Sequence, residues 1–255
     1  MFLGGRGLVL GEMMELCGPS GCGKSMLCHV LCVCMTAQHK DLEVVYVDTR
    51  NTFSVKTLTD VIMWMWNGIR GEKDDLHTFQ KSVLSRVRHV AAYELSDTFA
   101  SLRKIDRVYT TSRSKSLGVL IVDSVTALLS SLIGGVKTGI GFAAMSEFGT
   151  SLKMLARKHN ASVIVTNGTV TANIDTESSL SSSSLRKPAL GRTWESVPSV
   201  RVWMESDHHH HSSDNDGVHS GNNTTLTKFR TCMRTLKSPR ISTTAQQPFV
   251  FEIDF

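Results

Sequence analysis

The sequence predicts an α/β domain, a mostly parallel central sheet flanked by helices with a C-terminal β-hairpin extension, on three observations. The first is Gly18-Pro19-Ser20-Gly21-Cys22-Gly23-Lys24-Ser25, which fits the phosphate-loop pattern G-x-x-x-x-G-K-[ST]. The second is its setting, between a strand-like run from Glu12 to Cys17 and an apolar helical run from Ser25 to Thr36. The third is that further aliphatic runs alternate with helical patterning along the chain, as strand–helix–strand units with parallel strands do. With 255 residues, 41% hydrophobic and 20% charged, the chain is long enough for one such domain with a substantial core.

The loop residues are the types that phosphate binding needs. Glycines let successive backbone N–H groups turn inward around a β-phosphate, and Gly23 leaves space where a side chain would collide with a nucleotide. Lys24 offers a cation to the β/γ oxygens, and the Ser25 hydroxyl completes a Mg²⁺ shell. A helix N-terminus beyond the loop adds the favourable end of its dipole.

Next, Leu42 to Val47 is a β-branched run ending at Asp48, the composition of a buried parallel strand. Val55, Leu58, Val61, Ile62 and Met65 recur at helical spacing. Trp64 and Trp66 give that helix more aromatic bulk than one face buries, so it is either packed on two sides or presents a partner surface. Glu72 to Leu84 reads as a charged, exposed helix and Arg88 to Ala92 as a strand. Ser96 or Asp97 is expected to cap a helix running to about Tyr109.

Leu117 to Val122 is an apolar strand ending in Asp123. An acid there stands at the carboxyl edge of the sheet beside the phosphate loop, placed to hold a Mg²⁺ shell through water. Ser130 to Gly141 is glycine-rich and reads as flexible. Met145, Phe148, Leu152 and Leu155 mark the buried stripe of a helix ending in Arg157-Lys158-His159, where cations suit the dipole. Ala161 to Thr166 is the next strand, and Asn167-Gly168 follows it. From Ala172 to Arg186 the composition falls to Ser, Thr and charge, so residues 172–187 read as a mobile loop. Val200 to Met204, Thr225 to Leu236 and Phe249 to Ile253 are the β-rich stretches of the hairpin extension. A polar loop over residues 206–224 joins the first two, and its His208 to His211 run reads as a solvated tract rather than a metal centre.

Other classes find no support. No run of about 18 apolar residues exists to span a membrane, and the N-terminus lacks a secretion-signal pattern. Six cysteines contain no C-x-x-C pair, and five cluster around the loop and its helix, as reduced core thiols of an intracellular protein would. A net charge of +5 permits nucleic-acid contact without arguing for it.

Taken together, Gly4-Gly5, the phosphate loop, Tyr46-Val-Asp48-Thr49 with Phe53, Val119 to Ala127 and Val163 to Asn167 resemble the RecA-like recombinase ATPases of the eukaryotic branch. Lys187 to Arg201 is the sharpest element and looks like the D-type paralogue group rather than the strand-exchange enzyme. The resemblance implies a nuclear protein that binds ATP and Mg²⁺. It also implies partners: other recombinase paralogues, in a hetero-oligomer that binds single-stranded or branched DNA and promotes recombinase filament assembly during homologous recombination. Residues 1–255 then form a single RecA-like ATPase domain without the family's small N-terminal domain.

Two departures bear on activity. Where the family's active members carry a glutamate after the Asp-Thr pair to polarise water, this chain has Arg50, which cannot act as a base. Where they carry a glutamine after Thr-Asn, this chain has Gly168. No residue is therefore assigned as catalytic, and slow or vestigial hydrolysis is expected. DNA contact is expected through the two loops, with Lys137 in the first and Arg186 and Lys187 in the second. Only Phe142, at the edge of the first, could stack on a base.

Overall fold

The computed structural model describes residues 8–68, 75–133, 138–171, 186–206, 228–239 and 249–254. Its sheet has eight strands in the order β10-β9-β8-β1-β5-β4-β2-β3. The six from β8 to β3 are mutually parallel: β1 Met13–Cys17, β2 Leu42–Asp48, β3 Val87–Ala91, β4 Ser116–Asp123, β5 Ser162–Asn167 and β8 Val200–Ser206. The strands β9 Lys228–Lys237 and β10 Phe249–Asp254 add antiparallel at one edge and form the hairpin extension, whereas Val200 to Met204, expected within it, is the strand β8 that pairs parallel with β1. A second, two-stranded sheet pairs β6 Thr169–Thr171 with β7 Arg186–Pro188.

The apolar runs become strands because both faces of the sheet are covered. One core layer packs α1 Lys24–Gln38, α2 Val55–Gly68 and α3 Leu76–Leu84 on Leu16, Val44, Tyr46, Val119 and Ile121. The other packs α4 Leu95–Thr111, α5 Val125–Leu129, α6 Thr138–Lys158 and α7 Gly191–Glu195 on the opposite face. Alternate residues of each strand feed alternate layers, so neither face can be polar. Trp66 packs its ring against Phe79, centroids 5.3 Å apart, and Trp64 lies against the core, which favours two-sided packing of α2.

Three expected boundaries change. The helix α4 begins at Leu95 with Glu94 at its cap, because the Thr98 N–H already bonds the Glu94 carbonyl at 2.9 Å; Ser96 and Asp97 lie in the first turn. The segment from Ser130 to Gly141 is not one flexible loop: Ser130–Leu132 form a 3-10 turn, and α6 starts at Thr138. Gly141 serves close approach there, since a Cβ would stand 1.9 Å from the Leu132 carbonyl oxygen. Finally, Arg186 and Lys187 belong to a strand and not to the end of a loop. Lys137, the His208–His211 tract, Gly4-Gly5 and the remainder of both expected loops lie outside the described residues.

The thiols of Cys17, Cys22, Cys28 and Cys32 are buried and pushed upward by that burial, Cys17 to about 12. They pack as small hydrophobes and are not poised as nucleophiles. Among the described residues no His/Cys/Asp/Glu group has the makings of a metal cluster, and no helix is long and apolar enough to cross a membrane.

Candidate nucleotide site

At the carboxyl ends of β1, β5 and β4 the loop Gly18–Ser25 turns from strand into α1. Glycine is required at specific points. A Cβ on Gly18 would lie 2.2 Å from the Met204 carbonyl oxygen, so the loop can rest against β8 only without a side chain there. Gly21 (φ 80°) and Gly23 (φ 92°) hold left-handed backbone, which other residues adopt at a cost. Gly23 caps α1, its carbonyl taking the Leu27 N–H at 2.9 Å. From the hairpin extension, Thr231 donates to the carbonyls of Cys22 (2.9 Å) and Glu205 (2.8 Å), bracing the loop from behind.

The Lys24 ammonium folds over the loop and donates to the carbonyls of Gly18 (2.8 Å) and Pro19 (2.7 Å). The Ser25 hydroxyl donates to Asp123 Oδ2 at 2.6 Å, so the two expected Mg²⁺ residues are in direct contact. Tyr46 donates to the same oxygen at 2.7 Å and Thr166 to Oδ1 at 2.5 Å. Asp123, only 2% exposed, thus has three hydroxyl partners and, among the described residues, no cation. A buried carboxylate held by neutral donors keeps its charge uncompensated, which suits a divalent cation entering beside a serine hydroxyl. With the glycine cradle, this donor set fits Mg²⁺ and a nucleotide phosphate.

One turn along α1, His29 places Nδ1 2.7 Å from the Ser25 carbonyl oxygen. Its ring stacks on Phe53, and Phe53 stacks on His89, centroids 5.3 and 4.5 Å apart. Burial pushes the His29 pKa down, so the ring stays neutral and stiffens the wall beside Asp123.

The turn after β2 is fixed by Asp48, whose carboxylate accepts the N–H groups of Arg50 (3.0 Å), Thr52 (3.1 Å) and Phe53 (2.9 Å). Burial pushes the Asp48 pKa up, but these bonds and His89 outweigh it and hold the carboxyl below its usual range. The Thr49 hydroxyl takes the Ser124 N–H (2.7 Å) and donates to its carbonyl (2.9 Å), fastening this turn to the end of β4. Across from it, Thr126 donates to Asn167 Oδ1 at 2.7 Å and accepts the Gly168 N–H at 2.6 Å.

Between these elements opens a cleft of about 380 Å³, lined by Lys24, Arg50 and Arg186 and by the hydroxyls of Ser20, Ser124 and Thr126. No carboxylate stands among its described lining residues. Arg50 and Gly168 both face this space, and a Cβ on Gly168 would meet nothing closer than 3.5 Å. Lys187, next to Arg186, is exposed. Phe142 lies on α6 and is 39% exposed.

Sequence reasoning missed Glu15. This fully buried carboxylate on β1 takes the Asn167 amide (2.7 Å), the Trp194 indole N–H (2.9 Å) and the Arg201 guanidinium. Asn167 thus links the buried network to Thr126 at the cleft. A signal existed: Glu15 is the one charged residue in Met13–Cys17, and a charge in such a strand demands a partner.

Residues 1–211 match the model of the Rad51 family. The chain is 32% identical over 201 residues to the Bos taurus "DNA repair protein RAD51 homolog 4", covering 78% of this chain and 57% of that protein. The Mus musculus protein of the same name is also 32% identical, over 203 residues, covering 78% and 56%. The Homo sapiens "DNA repair protein RAD51 homolog 2" is 26% identical over 224 residues, covering 78% and 56%. The chain therefore spans little more than half the length of these relatives. With its mostly parallel sheet, a glycine loop at the sheet's carboxyl edge and a family match over most of its length, the chain belongs to the Rad51 family of RecA-like proteins.

Proposed function

We propose that this chain is an ATP- and Mg²⁺-binding recombinase paralogue of homologous-recombination DNA repair, acting in the nucleus as one RecA-like domain. It joins other paralogues in a hetero-oligomer that helps recombinase filaments assemble on single-stranded or branched DNA. The observation that carries the reading is the pairing of Ser25 with an Asp123 that has no cation among its described partners, beside the Gly18–Ser25 cradle. The words "DNA repair" in the names of the bovine and mouse relatives support the biological setting.

In this reading the loop Gly18–Ser25 cradles the phosphates with the backbone N–H groups of Ser20, Gly21, Gly23, Lys24 and Ser25, while Pro19, which has no N–H, shapes the turn. Lys24 exchanges its two loop carbonyls for phosphate oxygens. Ser25 and Asp123 hold Mg²⁺, and the ion when bound neutralises charge on the terminal phosphates. Arg50 is a permanent cation and accepts no proton, so water in the cleft lacks a general base from that position. Loss of one base typically slows such a step by about 10²–10⁴-fold, so nucleotide acts as a switch that orders the surroundings more than as fuel. DNA phosphates are met at the hairpin β6–β7, where Lys187 is exposed, with Lys137 and Arg186 as further cations.

The test is equilibrium binding of labelled ATP and ADP to wild type and Lys24→Ala, with Mg²⁺ present and withheld. Mg²⁺-dependent binding that weakens by about tenfold or more in the variant supports the reading, a loss of about 1.4 kcal/mol or more. No binding by wild type at millimolar nucleotide overturns it.

A further inference from the structure

The cleft gathers three cations from three separate elements: Lys24 from α1, Arg50 from the turn after β2 and Arg186 from β7. Their charges repel with no acid among the described lining residues to offset them, so the electrostatics of the cleft favour an anion. The main chain that carries Arg50 is fixed by Asp48 and by the Thr49–Ser124 bonds, while its side chain remains exposed. Arg186 is carried on a hairpin whose base is closed by the Ala189 N–H on the Gly168 carbonyl (3.0 Å). The Gly168 N–H in turn bonds Thr126, so the hairpin and the cleft share one hydrogen-bonded seam.

Resting on the nucleotide reading above, we propose that Arg50 and Arg186 join Lys24 as a receptor for the terminal phosphate of a bound nucleoside triphosphate. A triphosphate then ties the β6–β7 hairpin to the phosphate loop, and a diphosphate, which ends short of the two arginines, does not. A cation in place of a base thus changes what the site does with the same nucleotide, trading turnover for discrimination between the charged states of the ligand. The two arginines are specificity-determining groups, and guanidinium forks suit a tetrahedral anion better than an ammonium does.

The experiment measures Mg²⁺-dependent Kd values for a non-hydrolysable ATP analogue and for ADP, with wild type, Arg50→Ala, Arg186→Ala and Arg50→Lys. Wild type is expected to favour the triphosphate by about tenfold or more, and each alanine variant to narrow that ratio by about three- to tenfold, with ADP affinity unchanged. Arg50→Lys should retain part of the preference. Amide hydrogen exchange at Thr169–Thr171 and Arg186–Pro188 should slow with the analogue and not with ADP, and Arg186→Ala should remove the difference. An unchanged ratio in both alanine variants overturns the proposal while leaving nucleotide binding intact. No nucleotide binding by wild type overturns both readings. If the alanine variants lose affinity for an oligothymidylate and keep the triphosphate preference, the cations read nucleic-acid phosphate and the proposal also fails.

Discussion

Two buried carboxylates stand on neighbouring regions of the same sheet and are satisfied in opposite ways. Glu15, on β1, meets a guanidinium, an indole N–H and an amide, so its charge is cancelled inside the protein. Among the described residues Asp123, at the end of β4, meets only the hydroxyls of Ser25, Tyr46 and Thr166. Hydroxyls satisfy lone pairs without supplying charge. The first carboxylate is closed and holds β1, β5, β8 and α7 together; the second, beside the Gly18–Ser25 loop, has no compensating charge among its described partners. Burial alone does not distinguish these two acids. The charge of the partners does.

The comparison breaks most visibly at Arg201. Arg201→Ala leaves the buried Glu15 without its cation, and removal of one partner of such a pair costs about 3–5 kcal/mol. The urea midpoint of the variant should fall accordingly. Replacing both partners, Glu15→Gln with Arg201→Met, should recover most of that loss, because the neutral pair no longer carries a desolvated charge. A double variant as unstable as the single one would mean that the packing of Trp194, and not the charge, sets the strength of this region.

Asp123→Asn sharpens the contrast with a smaller effect. The amide fits the same space, its oxygen keeps the Thr166 bond, and the Ser25 and Tyr46 hydroxyls can rotate to accept from its nitrogen. Stability without ligand should move by about 1 kcal/mol or less, while the thermal shift given by Mg²⁺ with nucleotide disappears. A ligand-free loss of about 3 kcal/mol would put Asp123 in the same class as Glu15.

How much of this was legible in the sequence follows from range. The strands β1, β2, β4, β5 and β8 were readable because burial on both faces writes itself as a local apolar run. The phosphate loop was readable because its glycine demands fall within eight consecutive residues. Glu15 was silent in its role because its partners lie 152, 179 and 186 residues away, and no local pattern records such a convergence. Tyr46 and Thr166 lie within legible strands, yet only the parallel pairing of β2, β4 and β5 brings their hydroxyls to Asp123. The glycines at the start of α6 misled for a physical reason. Gly141 signals contact with Leu132, and composition cannot tell a glycine that permits motion from one that permits closeness. The hairpin β6–β7 was hidden by its size, three residues a side beside a serine-rich stretch.

A third carboxylate, Glu43 at the other end of β2 from Asp48, tests the rule where solvent intrudes. Its side chain is 5% exposed, but Arg88 and Lys115, which hold it at 3.0 and 2.7 Å, are 51% and 49% exposed. Burial pushes its pKa up, while hydrogen bonds from Arg88, Lys115 and Tyr109 act the other way and leave it below the usual glutamate range. The partners supply charge, as for Glu15, yet water screens them, so Glu43→Gln should cost only about 0.5–1 kcal/mol near neutral pH. The sign of the pH effect follows from the lowered pKa. The contribution is whole above the unfolded value of about 4.3 and is lost as pH falls through the folded one, because the unfolded chain takes up the proton first. Denaturation curves of wild type and Glu43→Gln should therefore converge as the pH is lowered through that window. Curves that stay equally far apart would mean that the Glu43 contribution comes from shape and neutral hydrogen bonding, and partner charge would then cease to be a general guide to what a buried acid does in this sheet.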